Sequence, residues 1–445
     1  MDDMRERISR LTLKLQSQSY LPLWALTNEN VIYSYAMGKK SSWGPKTRIL
    51  LFLMTISYKL KISDLLLFCV GLYRALSIWW KVKKNQFKKQ KLNNPKRIFA
   101  GFGATCEESI YADYIRRSQE PSGRVNWVTA EGISEFGCPS LISILNALIR
   151  NTFGHSAKLR YAIPEISLNT IDFLMVCALN VGVYSFYRPY WLGAKIQGIN
   201  EVTFLAPDII ALACIDEGIK SIFLQHGLMA LSIIIPKFNR IDVLTSDEER
   251  YLLASRKGVE ILKINTEIRA DNAKNNILML LSPNVYLKDN LMVQKLVQWA
   301  IKIGLEVVIR PAPNVTKNQL AVLKTRFFQS SFDDHNVLLN VSLEKWNPKL
   351  VVSWRSTALV TALEYGCLPI SLCDPLANDV TYAMIYPLKN RVLFWPRDEA
   401  LIEDSVQSQH IYHLQLNNLR NYSDDGLLAS MQDGTRNRQS EMLVL

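Results

Sequence analysis

The stretch Val351–Pro369, VVSWRSTALVTALEYGCLP, decides the fold that we predict for this chain. An apolar strand ends at Ser353, a helix follows Thr357 and ends near Gly366, and a second apolar strand begins directly afterwards. Two strands joined by a helix with short links are typical of a parallel α/β sheet. The stretch therefore predicts an α/β chain.

The start of this helix is also a candidate binding site. Ser356 and Thr357 stand where a helix N-terminus offers unpaired N–H groups and a partial positive charge, and Arg355 adds a cation. We interpret these three residues as a phosphate or diphosphate site. Ordinary N-capping by Ser or Thr is the alternative, and the two roles are compatible.

The same alternation of elements extends on both sides of this stretch. Residues 276–283 and 305–313 have the pattern of buried strands, and an amphipathic helix lies between them. We therefore predict that residues 271–420 form one Rossmann-like lobe. Residues 421–445 are polar and are predicted to be a tail. Residues 97–270 predict another lobe. A short apolar strand and a glycine-bearing turn are expected within residues 97–105, and further strands at 125–129, 173–177, 201–205 and 221–227. Gly101 and Gly103 lack the third glycine of a dinucleotide motif and fit a tight turn better.

One histidine ends a buried strand of the first predicted lobe. Residues 221–227 read SIFLQHG, which places His226 at the carboxyl edge of a sheet, where open α/β sheets bind ligands. Imidazole titrates near neutral pH and can act as a general base or contact a phosphate. A core histidine bonded to a carbonyl is the alternative reading. Glu107 and Glu131, in loops of the same lobe, are alternative candidates for the base.

The N-terminal hundred residues carry the positive charge of the chain. They hold 19 Lys and Arg against 5 Asp and Glu, whereas the other 345 residues hold 33 against 35. Two apolar runs, 49–58 and 65–80, precede a segment with six lysines in eleven residues. Neither run reaches the roughly 20 residues of a membrane span, so we predict that residues 1–96 are amphipathic and that residues 49–91 contact an anionic membrane surface.

Other functions of this basic region remain open alternatives. Helices covering the catalytic body, followed by a solvated linker, would also fit, whereas nucleic acid binding is disfavoured because no recognised nucleic-acid module follows.

The N-terminus lacks an apolar signal region, and seven scattered cysteines without a C-x-x-C pair fit a reducing compartment. We therefore expect a cytoplasmic protein, peripheral on the inner face of the cell membrane.

The motifs, taken in order, resemble those of the GT-B glycosyltransferases. LQHG (224–227), the strand at 276–283, VVIRPAP (307–313) and the stretch 351–369 are similar to motifs of bacterial capsule and polysialic-acid transferases and teichoic-acid glycerophosphate transferases. The resemblance covers about residues 200–372. It implies two Rossmann-like lobes across a cleft, with His226 facing the reacting centre, Arg310 contacting the nucleotide, and Ser356 and Thr357 binding phosphate.

Three positions qualify this resemblance. Ala312 stands where the family usually has histidine, and Thr361 stands where many members place a ribose-binding glutamate. Glu364, one helical turn later, is the candidate to replace that glutamate, and a surface role is the alternative for it.

Some bacterial sialyltransferases use an acidic-acidic-glycine triplet as base. Here Asp216-Glu217-Gly218 falls at a predicted helix end, so we interpret it as the end of a helix.

The sequence thus predicts a glycosyltransferase with a nucleotide-sugar donor. The expected acceptor is a lipid-linked surface polysaccharide or lipopolysaccharide, without a cofactor, and without a metal because no Asp-x-Asp motif occurs. Transfer of glycerol or ribitol phosphate from a CDP-polyol is the nearest alternative. A catalytically silent protein that binds nucleotide or glycan is another, favoured by Ala312 and Thr361.

Overall fold

The computed structural model describes a defined part of the chain. The described residues are 44–85, 97–101, 125–129, 137–153, 170–206, 208–225, 234–243, 260–263, 274–281, 290–312, 315–337, 339–354, 358–372 and 392–407, with positions 8, 11, 12 and 252. The predicted tail, 421–445, and the lysines of residues 86–91 lie outside them.

Six parallel strands form the sheet of the first half of the chain. Their order is β2-β1-β3-β4-β5-β6. Their bounds are Arg97–Gly101 (β1), Val125–Thr129 (β2), Glu201–Phe204 (β3), Lys220–Leu224 (β4), Arg240–Val243 (β5) and Glu260–Lys263 (β6). Strands β3 and β4 are buried on both faces, apart from Lys220 at the start of β4, as expected when helices cover a parallel sheet on both sides.

A second sheet of six parallel strands follows in the other half. Its order is β12-β11-β10-β7-β8-β9. The bounds are Lys274–Leu280 (β7), Glu306–Arg310 (β8), Ser331–Phe332 (β9), Pro348–Ser353 (β10), Leu368–Ser371 (β11) and Leu393–Phe394 (β12). Alternate residues of its strands enter two separate apolar clusters: Ile277 and Met279 join one, and Leu278 joins the other.

The chain divides into two units, Met1–Ile264 and Asn265–Leu445. The predicted fold class is confirmed: the chain is α/β, with two Rossmann-like lobes, each built on a parallel sheet, and a basic helical region before the first sheet. The division falls six residues before the predicted lobe boundary at 270. Residues 45–85 belong to the first unit.

Five described helices belong to the first unit. They are Pro45–Lys59 (α1), Ser63–Asn85 (α2), Leu141–Thr152 (α3), Thr170–Ile196 (α4) and Ile209–Asp216 (α5). The predicted strand at Phe173–Cys177 is wrong, because these residues lie inside α4. Helix α4 is buried over most of its length, and a short apolar run inside such a helix has the same composition as a buried strand.

Five described helices belong to the second unit. They are Asn290–Lys302 (α6), Lys317–Arg326 (α7), Leu339–Trp346 (α8), Ala358–Glu364 (α9) and Glu399–Gln407 (α10). A capping box fixes the start of α7: Thr316 accepts from the N–H of Gln319, whose side chain accepts from the N–H of Thr316. Helix α6 lies within the predicted range 289–304, and α9 is the helix predicted after Thr357, so both predicted helices are present.

Helix α4 links the first sheet to the basic region. Trp191 packs edge-on against Phe204 of β3, with ring centroids 5.9 Å apart, and its Nε1 donates to the carbonyl of Ile210 in α5 at 3.1 Å. Helices α1, α2 and α3 also pack against α4. The first unit therefore has an additional helical layer outside α4.

One helix in the described part of the chain, Ser63–Lys84, is long and apolar enough to cross a membrane by length and composition. The expectation that neither apolar run reaches spanning length is therefore corrected. Helix α2 extends the apolar run 65–80 at both ends, so its full length is 23 residues. Length alone does not place it across a bilayer, because buried helices of soluble proteins meet the same criterion.

Candidate functional site

Each sheet has one point at which the strand order reverses. In the first sheet β1 and β3 are neighbours, with β2 outside β1, so the reversal lies between β1 and β3. In the second sheet it lies between β7 and β10. Ligands of open α/β sheets bind outside the carboxyl ends of the strands at such a point. A ligand site is therefore expected at the carboxyl ends of these four strands.

The predicted phosphate site adjoins the reversal in the second sheet. Strand β10 ends at Ser353, and α9 begins at Ala358. The carbonyl of Ser353 accepts from the N–H of Leu372 at 2.9 Å, and the carbonyl of Trp354 accepts from the Ser371 hydroxyl at 2.8 Å. The chain is thus held by β11 up to the residue before Arg355. Arg355, Ser356 and Thr357 themselves lie outside the described residues.

Two further predictions concern α9. Gly366 follows the helix with φ +72°, as expected for a left-handed residue that ends a helix. Glu364 is the last residue of α9, and its side chain is not described. At 1.5 Å per residue it stands about 9 Å along the axis from Ala358. Thr361, which occupies the glutamate position of the resemblance, is partly buried within the helix.

Arg310, predicted to contact the nucleotide, lies at the carboxyl end of β8 in a network of protein groups. Its Nη1 donates to Asp333 Oδ2 at 2.7 Å and to the carbonyl of Asp334 at 3.1 Å, and also contacts the Ser342 hydroxyl. Its Nη2 donates to the carbonyl of Val337. The side chain is 9% exposed. Both terminal nitrogens are used within the protein, so the geometry argues against the predicted nucleotide contact.

Asp333 completes this buried network. Its Oδ1 accepts from Trp346 Nε1 at 2.7 Å, and its Oδ2 accepts from Ser342 at 2.5 Å. Burial by itself would raise the pKa of Asp333, but the hydrogen bonds from Ser342, Trp346 and Arg310, with the charge of Arg310, outweigh it and lower the pKa below its usual value. Asp333 is thus an ionised partner that accounts for the burial of Arg310.

An acidic residue that the sequence reasoning missed lies at the reversal in the first sheet. Asp208 follows β3 and caps α5, where its Oδ1 accepts from the N–H groups of Ile210 and Ala211 at 2.9 and 3.0 Å. The available signal was an acidic residue directly after Pro207, between a strand and a helix. Its carboxyl stands at the ligand-binding edge of the sheet, one strand from the end of β4.

Burial changes the acidity of Asp208. Desolvation raises its pKa to about 6, and the hydrogen bonds from Ala211 and Ile210 offset only part of this effect. A carboxyl group with a pKa near 6 is ionised at neutral pH and still basic enough to accept a proton. Asp208 is therefore a further candidate for a proton acceptor in this unit, beside its structural role as a cap.

The predicted base His226 lies two residues past Leu224, the last residue of β4. Gln225, the last described residue there, is buried, and its N–H donates to the carbonyl of Asp242 at 2.9 Å. This bond holds the end of β4 against β5. His226, Glu107 and Glu131 lie outside the described residues, so their candidate roles stay predictions.

The Asp216-Glu217-Gly218 triplet is confirmed as helix punctuation. Glu217 caps α5, and Gly218 follows with φ +70°. The Tyr184 hydroxyl donates to Asp216, and Arg188 Nε donates to Glu217 Oε1 at 2.6 Å. The triplet precedes β4, so it lies at the amino edge of the sheet, opposite the edge where ligands bind.

In the described part of the chain, no group of three or more His, Cys, Asp or Glu side chains is close enough to hold a metal ion. The described cysteines are unpaired, and Cys177, Cys214 and Cys367 are buried. Burial raises the pKa of Cys177 and of Cys367 to about 12, which keeps both thiols protonated.

Comparison with known proteins gives structural likenesses only. No family model matches the chain, and no curated protein sequence matches it. The wall teichoic acid polymerase TagF is 9% identical, with a TM-score of 0.39, over 90% of this chain and 100% of that one. MurG of Acinetobacter baumannii is 9% identical, with a TM-score of 0.37, over 76% and 100%. UDP-GlcNAc 2-epimerase of Methanocaldococcus jannaschii is 12% identical, with a TM-score of 0.38, over 70% and 91%.

Taken together, the described residues offer two chemically distinct sheet edges. In the second sheet, β10 is followed in sequence by Arg355, Ser356 and Thr357 and then by the start of α9. A cation, two hydroxyls and a helix N-terminus are a combination suited to an anionic ligand. The edge of the first sheet carries Asp208 and leads into His226, a combination suited to accepting a proton. Each edge belongs to its own unit.

Proposed function

We propose that this protein is a glycosyltransferase that moves a sugar from a nucleotide-sugar donor to a lipid-linked surface polysaccharide or lipopolysaccharide acceptor. The observation that carries the proposal is the place of the Arg355-Ser356-Thr357 segment. It joins β10 to α9 at the reversal of the second sheet, the position at which such sheets bind ligands. The order of the motifs along the sequence supports the same reaction.

In the proposed reaction the acceptor hydroxyl oxygen forms a bond to the anomeric carbon of the donor sugar. The bond from that carbon to the diphosphate oxygen breaks, and the nucleotide leaves with the electron pair. Arg355 and the N–H groups at the start of α9 stabilise this negative charge. His226 takes the proton of the hydroxyl, with Glu107, Glu131 and Asp208 as the carboxylate alternatives.

The proposal needs no cofactor and no metal. It assigns charge stabilisation to Arg355, Ser356 and Thr357, because the sequence lacks an Asp-x-Asp motif. Glu364 is assigned to the ribose of the donor. We further propose that the protein works on the cytoplasmic face of the membrane, where residues 49–91 bring it to a lipid-linked acceptor.

A thermal-shift series with UMP, UDP, CMP, CDP and GDP tests the donor site. One nucleotide should raise the midpoint of unfolding, because a ligand that binds only the folded state stabilises it. In Arg355→Ala this shift should shrink, whereas Arg326→Ala, an exposed arginine elsewhere in the same unit, should keep it. If none of the five nucleotides changes the midpoint, the donor proposal is wrong.

Transfer assays then test the reaction. The donors to compare are nucleoside diphosphate sugars such as UDP-GlcNAc, CMP-sugars and CDP-glycerol, because the motifs are compatible with each of these donor classes. If His226 is the base, His226→Ala should lower turnover by at least about 100-fold. An unchanged rate in this variant would remove His226 from the mechanism and leave the carboxylates as candidates.

A catalytically silent binding protein is the second candidate. The observation that favours it is Ala312, which is 5% exposed and apolar where the resembling enzymes carry histidine. This candidate predicts stabilisation by a nucleotide without turnover of any donor. Turnover of CDP-glycerol alone would instead identify a polyol-phosphate transferase.

A further inference from the structure

The exposed apolar side chains of the described residues concentrate on the outer helical layer of the first unit. Fifteen of the 23 exposed large apolar side chains belong to α1, α2, α3 and the residues next to them. Such concentration marks an interaction surface, because the exposed apolar residues of an ordinary soluble surface are scattered singly. The surface includes α3, which lies outside the basic N-terminal region that the sequence singles out.

The outward faces of these helices carry several large apolar side chains. In α3, Ile142 is 74% exposed and Ile149 44%, while Ile144 and Leu148 on the other side are buried. In α1, Ile49 and Phe52 are 71% and 65% exposed. In α2 the exposed apolar side chains include Leu65, Tyr73 and Trp80. An ordinary surface helix of a globular protein carries polar residues on this face.

Helix α3 is joined to α2 at both ends. Trp79 Nε1 donates to the carbonyl of Pro139, just before α3, at 3.1 Å. At the other end, Phe68 and Phe153 stack with ring centroids 5.9 Å apart. The two helices therefore run antiparallel, side by side. Phe153 is itself 52% exposed, so this stacked pair connects the apolar surfaces of the two helices.

Helix α2 is fixed along α4 through most of its length. A Cβ on Gly182 would overlap the carbonyl oxygen of Gly71, so the two backbones touch at this crossing. Arg74 Nη1 donates to the carbonyl of Leu179 at 3.2 Å. Leu67 and Val82, four turns apart, are both buried. A helix held in this way can offer lipid its outer face, whereas crossing a bilayer would require it to leave α4.

The charge of the surface selects the partner. Residues 45–85 hold eight Lys and Arg and one acidic residue, Asp64. Lys59, Lys61, Lys81, Lys83 and Lys84 are exposed at the ends of α1 and α2. A second copy of this chain would bring the same positive charges together, whereas an anionic bilayer is attracted to them.

We propose that α1, α2 and α3 form one apolar docking surface that lies in the plane of an anionic bilayer, with Ile142, Leu145 and Ile149 of α3 entering the lipid beside α2. This inference rests on the membrane part of the proposed function. It extends the contact beyond residues 49–91, and it assigns α2 an orientation parallel to the membrane.

Flotation of the full-length protein with vesicles tests the role of α3. The vesicles contain phosphatidylcholine alone or with 30% phosphatidylglycerol, a composition of about one anionic lipid in three. Ile142→Asp with Ile149→Asp should weaken binding to the anionic vesicles by about tenfold or more. The matched control, Val322→Asp with Phe328→Asp, changes two exposed apolar residues of the second unit and should bind as the parent does.

Two further measurements keep the result interpretable. Thermal unfolding confirms that the α3 variant is folded, and Ile142→Ser with Ile149→Ser is the milder substitute if it is not. Transfer to a water-soluble acceptor separates docking from catalysis, because the α3 variant should retain it. If the parent transfers no sugar, vesicle binding still decides the docking proposal by itself.

The proposal is overturned if the α3 variant binds anionic vesicles as tightly as the parent. It is also overturned if ultracentrifugation shows a parent dimer that the α3 variant breaks while neither binds vesicles. The orientation of α2 has its own test: nitroxide labels at Leu65→Cys and Trp80→Cys, each with Cys69→Ser, should lie at equal shallow depths. A deep label, or labels on opposite faces of the bilayer, would show a spanning helix.

Discussion

Arg310 and Asp333 form a buried ion pair that ties the chain after β9 and helix α8 to the end of β8. Asp333 accepts hydrogen bonds from Ser342 and Trp346 of α8, and Arg310 bonds the carbonyls of Asp334 and Val337. Removing one partner of a buried pair leaves the other charge without compensation, which costs more than the pair contributes. The pair therefore matters to the stability of the second unit.

We expect Arg310→Met to lower the free energy of unfolding of the second unit by about 3–5 kcal/mol. The measurement is denaturant unfolding of the full chain at pH 7, and Arg326→Met, at an exposed arginine of α7, is the control. Nucleotide affinity below the unfolding transition should be unchanged. Loss of nucleotide binding with unchanged stability would restore Arg310 to the donor site.

Replacing Asp208 should raise the free energy of unfolding, whereas replacing Arg310 should lower it. Its folded pKa, about 6, lies above the unfolded value of about 4, so stability falls as pH rises between these values and stays lower above them. Asparagine keeps the cap without the charge. At pH 7.5 Asp208→Asn should raise the free energy of unfolding by up to about 3 kcal/mol, whereas at pH 4 it should have little effect. A gain that is the same at both pH values would show that the carboxyl is not desolvated.

At the scale of elements, the crossing of α2 and α4 depends on two glycines. Gly182→Ala would place a methyl group against the Gly71 carbonyl, and the helices would have to separate. We expect a loss of about 1–3 kcal/mol or more in the first unit, from overpacking. Gly44→Ala is the control, because its new methyl group would lie 4.0 Å from Thr47 Oγ1. Equal unfolding midpoints of Gly182→Ala and the parent would mean that α2 is not held against α4.

The elements that could be predicted from sequence are those with local signals at both ends. Strand β10 and helix α9 are bounded by Ser353 and Gly366, and α5 by Asp208 and Gly218, so turn and cap chemistry defines them. Helix α4 lacks such a signal at Phe173–Cys177, because burial on several sides removes the 3.6-residue period. Strands β9 and β12 have two residues each, too few for any pattern.

In the candidate site too, contacts between residues close in sequence could be predicted, and contacts between distant residues could not. A cation and two hydroxyls before α9 are neighbours in sequence, so the strand that precedes them is enough to predict a place for them at the sheet edge. The partner of Arg310 lies 23 residues away, on the far side of α7, and only the folded chain shows that the two meet. The resemblance therefore implied a nucleotide contact for a guanidinium whose hydrogen bonds go to groups of the protein itself.

At the scale of the whole molecule, the excess positive charge of the chain and most of its exposed apolar side chains belong to the first unit. Residues 1–100 carry a net charge of +14 and the remainder −2, from 19 basic against 5 acidic and 33 against 35 residues. A lysine close to an anionic surface contributes about 1 kcal/mol of binding, and salt screens this contribution. Binding to anionic vesicles should thus depend on the first unit and weaken as ionic strength rises.

Replacing Lys81, Lys83 and Lys84 by glutamine tests this asymmetry. The three exposed side chains end α2, and losing them should weaken binding to phosphatidylglycerol vesicles by about 3 kcal/mol, or about 100-fold, at low salt. The control is glutamine at Lys295, Lys302 and Lys317, which lowers the net charge equally but in the second unit. If both triple variants bind equally weakly, the overall charge drives association and the end of α2 has no special part in it. If neither differs from the parent, apolar contact alone holds the protein to the vesicle, and raising the salt should then leave binding unchanged.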